Sequence, residues 1–268
     1  INQSDRAIEG VTGLNYFDDH GNPVKPIVIG QYKDREIVPA LTQLKPVGDV
    51  KDIPNLEETL KDELIIRLND EYMYKTNIVF TGIHINAVKD IDMDELTYMM
   101  DFDLWFRYSG TVDVRDVIFL NQDKPIQLRA PLEELQFGDQ LYRRYRVVGR
   151  FKADFLFPSG PQKHVLGVSF SHNSIPRDNL IFVPDQFGGA ASWNQIKTKS
   201  NRIISSKSSW SIHQLWSFQN VDQRDILGNI KYINAPSKKM NYSQFTTSLE
   251  IKDKAFDFRN TLVSFHMA

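Results

Sequence analysis

The chain has no cysteine. Disulfides, thiolate metal sites and cysteine nucleophiles are therefore excluded. It has almost no charge of either sign in excess: 32 Lys and Arg stand against 34 Asp and Glu, a formal net charge of −2. No broad basic field is present to recruit nucleic acid. No run approaches the roughly 18–20 apolar residues that a bilayer-spanning helix needs. A signal peptide is also missing, and the chain opens on Ile1, so it reads as a trimmed piece of something longer. G-x-S-x-G, P-loop and G-x-G-x-x-G patterns are absent. Nothing in the chain assembles a nucleophile, a base and an oxyanion hole, so the expectation is a protein that is not an enzyme.

What is present is aromatic. Seventeen Phe, ten Tyr and four Trp occur among 268 residues, 41% of which are hydrophobic. That suits a folded globular protein, and it favours strands over helices. The length allows one large domain or two ordinary ones. Residues 1–48 differ from the rest. Short strand-like runs alternate with turns, Pro23, Pro26, Pro39 and Pro46 punctuate them, and large apolar side chains are few. Such a piece lacks the means to hold a core alone. Residues 49–73 read as a linker with a short helix near 55–66, capped by Asn55 and opened by Glu57 and Glu58.

From Tyr72 onward the hydrophobic period is two. In "DFDLWFRY", Phe102, Leu104, Phe106 and Tyr108 share one face, while Asp101, Asp103, Trp105 and Arg107 share the other. "SWSIHQLWSFQ" puts Trp210, Ile212, Trp216 and Phe218 on one side, and "FTTSLEIKD" does so with Phe245, Thr247, Leu249 and Ile251. Several further strands follow the same rule between turn clusters. The expected fold is mainly β: an antiparallel β-sandwich of about ten strands over residues 74–268, with the short helix and the small N-terminal β segment before it. "SNRIISSKSS" is the most polar stretch and reads as a loop.

Metal and cofactor chemistry finds little support. No pair among the six histidines has HxxxH or HExxH spacing. "DDHGN" at 18–22 and "KDIDMDE" at 89–95 lack the spacing of a calcium loop and read as solvated turns. No metal and no cofactor are expected.

The strands and their connections, taken in order over residues 74–268, resemble the extracellular domain of prokaryotic, cysteine-free pentameric ligand-gated ion channels. "NIVFTGIHINAVKDIDMDELTYMMDFDLWFRYSG" is similar to that family's first two strands. Phe157, Pro158 and Gln162 fall on its Phe-Pro-Phe-Asp-x-Gln loop, with Ser159 and Gly160 in place of the second Phe and the Asp. "SSWSIHQLW" resembles the ninth strand, and "SQFTTSLEIKDKAFDFRN" the tenth, which in the family runs into the first membrane helix. The resemblance implies that Phe157, Pro158 and Gln162 form a loop that couples to the membrane domain. Residues 1–48 resemble something else, the C-terminal tail of type I periplasmic substrate-binding proteins, through Gly10, Gly13, Phe17, Asp18 and Gly21.

The same resemblance assigns a ligand site between subunits. Trp105 matches an aromatic of the complementary face, and Tyr232 and Tyr242 flank the loop joining the ninth and tenth strands. Leu120 stands at the first-loop aromatic position beside a matching Asn121, and the central tryptophan falls near Ser171 and His172. The ligand-binding set is thus Trp105, Arg107, His172, Tyr232 and Tyr242. Arg107, beside Trp105, favours an anionic group through paired hydrogen bonds. Apart from the resemblance, Trp105 reads as cross-strand packing on a sandwich face. The implied partners are an unidentified small-molecule ligand and the protein's own transmembrane domain, in a homopentamer on the periplasmic or extracellular side of a bacterial inner membrane. The alternatives are the sensory ectodomain of a single-helix receptor with a cytoplasmic signalling module, and a free-standing binding or adhesion protein.

Overall fold

A computed structural model of the chain describes residues 8–10, 13–17, 23–24, 30–33, 36–48, 50, 53, 55–153, 163–185, 203–227 and 239–254. It is mainly β, with antiparallel sheets and one short helix. The chain divides into two compact units: Ile1–Ile78 with Ile175–Ile181 and Gln223–Tyr242, and Val79–Ser174 with Phe182–Asp222 and Ser243–Ala268.

In the first unit, β1 (Ile8–Gly10), β2 (Gly13–Phe17) and β3 (Pro23–Val24) form a small sheet, and β4 (Gly30–Lys33) pairs with β5 (Glu36–Pro39). Strand β6 (Thr42–Pro46) pairs with the start of β8 (Glu71–Asp92), as does β7 (Ile65–Leu68). The hairpin from β7 to β8 turns through Asn69 and Asp70, both at positive φ (49° and 66°). Two successive left-handed residues make the tight turn whose twist matches antiparallel strands, and Asn and Asp tolerate it best after Gly. Helix α1 (Leu56–Lys61) begins at Asn55, whose side chain accepts from the Glu58 N–H at 3.2 Å. Asn179 ties the unit together by donating through Nδ2 to the Leu64 carbonyl at 2.6 Å, and its own carbonyl accepts from the Asn77 N–H at 2.9 Å.

The second unit is a sandwich. Its larger sheet has the order β11 (Glu133–Phe137), β12 (Gln140–Lys152), β9 (Thr97–Ser109), β8, β14 (Leu180–Pro184). Its smaller sheet has the order β10 (Val117–Phe119), β13 (Lys163–His172), β16 (Lys239–Asp253), β15 (Trp210–Asp225). Phe102, Leu104, Phe106 and Tyr108 of β9 are buried, as are Phe245, Thr247, Leu249 and Ile251 of β16. Rings meet across the gap: Phe106 lies 6.0 Å from Phe170 of β13, and Phe102 lies 6.2 Å from Phe119 of β10. Phe182 and Phe170 meet edge to face at 5.2 Å. Each such pair adds about 0.5–1.5 kcal/mol beyond the area it buries.

Two departures from the sequence pattern have physical reasons. The aromatic face of β15 stays half-exposed because β15 is an edge strand of the smaller sheet. In the polar stretch 200–209, Ile203 and Ile204 are buried, and Ile204 bridges Val88.

One buried polar cluster joins the two sheets. β10 ends at Phe119, and the side chain of Asn121 continues its ladder along β13. Oδ1 accepts from the Ser169 N–H at 3.1 Å, while Nδ2 donates to the Gly167 carbonyl at 2.9 Å and to the Lys152 carbonyl at 3.0 Å. The Tyr98 hydroxyl accepts from the Gly167 N–H at 2.8 Å and donates to the Gly167 carbonyl. Gly167 has to be glycine here, because a Cβ would sit 2.4 Å from the Thr247 carbonyl oxygen.

Candidate functional site

The outer face of the larger sheet gathers the charged side chains of β8, β9, β11 and β12 into rows. Phe80, Arg107 and Tyr142 stand opposite one another, then Gly82, Trp105 and Arg144, then His84, Asp103 and Arg146. Ion pairs run both within and between the rows. Arg144 donates to Asp103 at 3.0 Å and to Glu133 at 3.1 Å, and Arg146 grips Asp101 through two bonds of 3.0 and 2.7 Å. Burial pushes the Asp101 carboxyl up, but hydrogen bonds from Arg146 and Asn86 outweigh it and hold the group below the usual range. Burial raises the Tyr142 hydroxyl.

At one end of this face the side chains close over a buried carboxylate. Asp185 follows β14 and is only 2% exposed. Its backbone N–H donates to the Thr81 carbonyl at 2.8 Å, which fixes it beside β8. Arg107 Nη2 donates to Asp185 Oδ1 at 2.9 Å, and Trp105 Nε1 donates to Oδ2 at 3.2 Å. The Arg107 guanidinium also lies 4.5 Å from the centroid of the Phe80 ring. A buried carboxylate is costly unless paired and hydrogen-bonded, and here it is both. Gly82 supplies the room: a Cβ there would fall 2.0 Å from Trp105 Cζ2. A residue without a side chain on β8 is what allows the indole to lie flat across the strand and aim its N–H at Asp185.

Trp105 and Arg107 are therefore together, sharing Asp185. His172 lies in the other sheet and is buried, with Nδ1 accepting from the Ser174 N–H and Nε2 facing the Asp113 carbonyl, each at 3.2 Å. Tyr242 belongs to the other unit, where the Arg224 guanidinium sits 4.0 Å from its ring centroid. Tyr232, Phe157, Pro158 and Gln162 lie outside the described residues. Asp185, Phe80 and Gly82 were not singled out from the sequence. "VPD" reads as a strand end followed by a turn, and no local pattern signals that its Asp points inward.

No known family model matches this chain, and no curated protein matches it. Among the described residues no group of three or more His, Asp or Glu is placed to hold a metal ion. In the acidic turn, Asp92 Oδ1 is taken up by the N–H groups of Asp94 and Glu95 at 3.0 and 2.9 Å. Among the described residues no helix is long and apolar enough to cross a membrane.

Proposed function

We propose that this chain is the periplasmic or extracellular ligand-sensing domain of a prokaryotic pentameric ligand-gated ion channel. It would couple ligand binding at the Trp105 face to a gate in its own transmembrane domain. The sequence resemblance motivates the reading, and one structural observation supports it most. Lys163, the first residue of β13, pairs with Lys252, next to the last residue of β16. The Ala153 N–H at the end of β12 bonds the Leu96 carbonyl of the β8–β9 turn at 2.7 Å. The flanks of segment 154–162, the β8–β9 turn and the exit of β16 therefore occupy one end of the sandwich. A sensor whose last strand leads to a membrane helix needs its coupling elements gathered at that exit. A ligand would shift the populations of two states according to its differential affinity for them.

In this reading Trp105, Arg107, Tyr232 and Tyr242 contact the ligand, while His172, buried in the smaller sheet, does not, and the Trp105 face of one subunit meets the 232–242 region of the next. Such a head-to-tail contact closes into a ring when its rotation fits. The test is the sequence encoded after Ala268, together with the mass of the detergent-solubilised parent. Four apolar helices and a pentamer uphold the proposal. One helix and a dimer favour the single-helix receptor instead, and a stop codon favours a free-standing binding protein.

A further inference from the structure

We infer that Asp185 is an internal carboxylate ligand of the Trp105–Arg107 site, and that it sets the site's specificity by excluding external carboxylates. The inference rests on the Trp105 face being the ligand face, yet its test needs only this chain, so its failure is separable from failure of the assembly test above.

The Arg107 side chain is 27% exposed, while the Asp185 side chain is 2% exposed. One edge of the guanidinium is already neutralised from within the fold, and one face rests on Phe80. The other donor aimed at this point, the Trp105 indole N–H, goes to the second oxygen of the same carboxylate. A planar cation and an indole N–H converging on two oxygens form a receptor for a carboxylate, and the fold has supplied that carboxylate itself. An external anion approaching Arg107 meets the like charge of Asp185 and finds the indole donor engaged. The Asp185 backbone is held to Thr81, so the carboxylate is part of the built site. With Asp185 in place the site accepts neutral or cationic groups. Without it, the same donors are left facing a space the size of a small carboxylate.

The experiment is chemical rescue in the full 268-residue chain. Asp185→Ala is titrated with sodium formate and acetate at constant ionic strength, and thermal midpoint and tryptophan fluorescence are read. The expected result is a saturable rise in midpoint for the variant, at least about tenfold tighter than any response of the parent, because a charge-assisted pair has become available to the solute. Adding Arg107→Gln to Asp185→Ala should abolish the response. A parent response as tight as the variant's overturns the inference, and so does an unchanged response in the double variant. Should Asp185→Ala fail to fold, recovery in formate supports the inference. If it stays unfolded in formate, Asp185→Ser, which still leaves most of the carboxylate's volume empty, carries the same comparison. A response of that variant independent of Arg107, or failure to fold even with formate, refutes the inference.

Discussion

Replacing Gly82 with alanine tests the geometry of the site more sharply than removing any of its charged groups. The added methyl would lie 2.0, 2.3 and 2.6 Å from Trp105 Cζ2, Cε2 and Cη2. Carbon atoms rest at about 3.5–4.0 Å, so the indole has to retreat by about 1.5 Å. It is a rigid, buried bicycle and has no flexible end to yield. Overpacking of this kind costs about 1–3 kcal/mol. The retreat also withdraws Nε1 from Asp185, and a hydrogen bond to a charged acceptor is worth about 1.5–3 kcal/mol. Against this stands about 0.5–1 kcal/mol recovered because alanine loses less backbone entropy than glycine. The net expectation is a loss of about 2–5 kcal/mol. Gly149 of the same sheet is the control. There the nearest atom to an added methyl is Ile126 Cδ1 at 2.4 Å, the far end of a flexible side chain. Gly149→Ala should therefore stay within about 1 kcal/mol of the parent. Urea unfolding by circular dichroism, fitted at constant m, measures both. In a Trp105→Ala background the Gly82→Ala cost should largely vanish. If Gly82→Ala costs no more than Gly149→Ala, the placement of the indole across β8 is wrong.

Three further outcomes are expected. Tyr145 is buried, and its hydroxyl has no partner among the described residues. Tyr145→Phe should therefore be neutral or stabilising by up to about 1 kcal/mol, and ultraviolet titration should lose an ionisation that burial pushes up to about 12. Asp101 ionises below its unfolded value of 3.8. Its contribution to stability is present above that value and lost as pH falls through the lower, folded one. Asp101→Asn should therefore flatten the acid side of a thermal-midpoint profile and leave its slope at neutral pH unchanged. Asn121→Leu leaves the Ser169 N–H and the Gly167 and Lys152 carbonyls without their amide partner. It should cost about 3 kcal/mol or more in urea unfolding, and a loss below about 1 kcal/mol would refute the role given to this side chain.

The fold was legible where alternation and burial coincide. Phe102, Leu104, Phe106 and Tyr108 announced the inner face of β9, and Asn55 with its two glutamates announced the helix. Alternation separates two faces of a strand but does not say which neighbour covers them. The aromatic side of β15 was therefore visible in the sequence, whereas its partial exposure depends on β15 being an edge strand. The site was half legible. Trp105 was named through the family resemblance, and Arg107 followed because it shares Trp105's strand face at period two. Asp185 could not be named, since 78 residues separate it from Arg107 and only the pairing of β14 with β8 delivers it. Gly82 was hidden for a related reason: its smallness has meaning only opposite an indole, and the register that puts Trp105 there is not local.

The Asn121 and Tyr98 cluster also bears on solubility. A strand that ends early usually leaves its neighbour with a row of open backbone groups, which is a template for recruiting another chain. Beyond the short β10, the amide of Asn121 and the hydroxyl of Tyr98 take up the groups of Gly167 and Ser169 that such a template would offer. At Gly167 and Ser169 the margin of the smaller sheet is thus closed by two side chains of its own fold. Partial unfolding at this end would break the seal before any new partner is met, so the stretch from Val165 to Ser171, rich in strand-forming residues, is where misassembly would start.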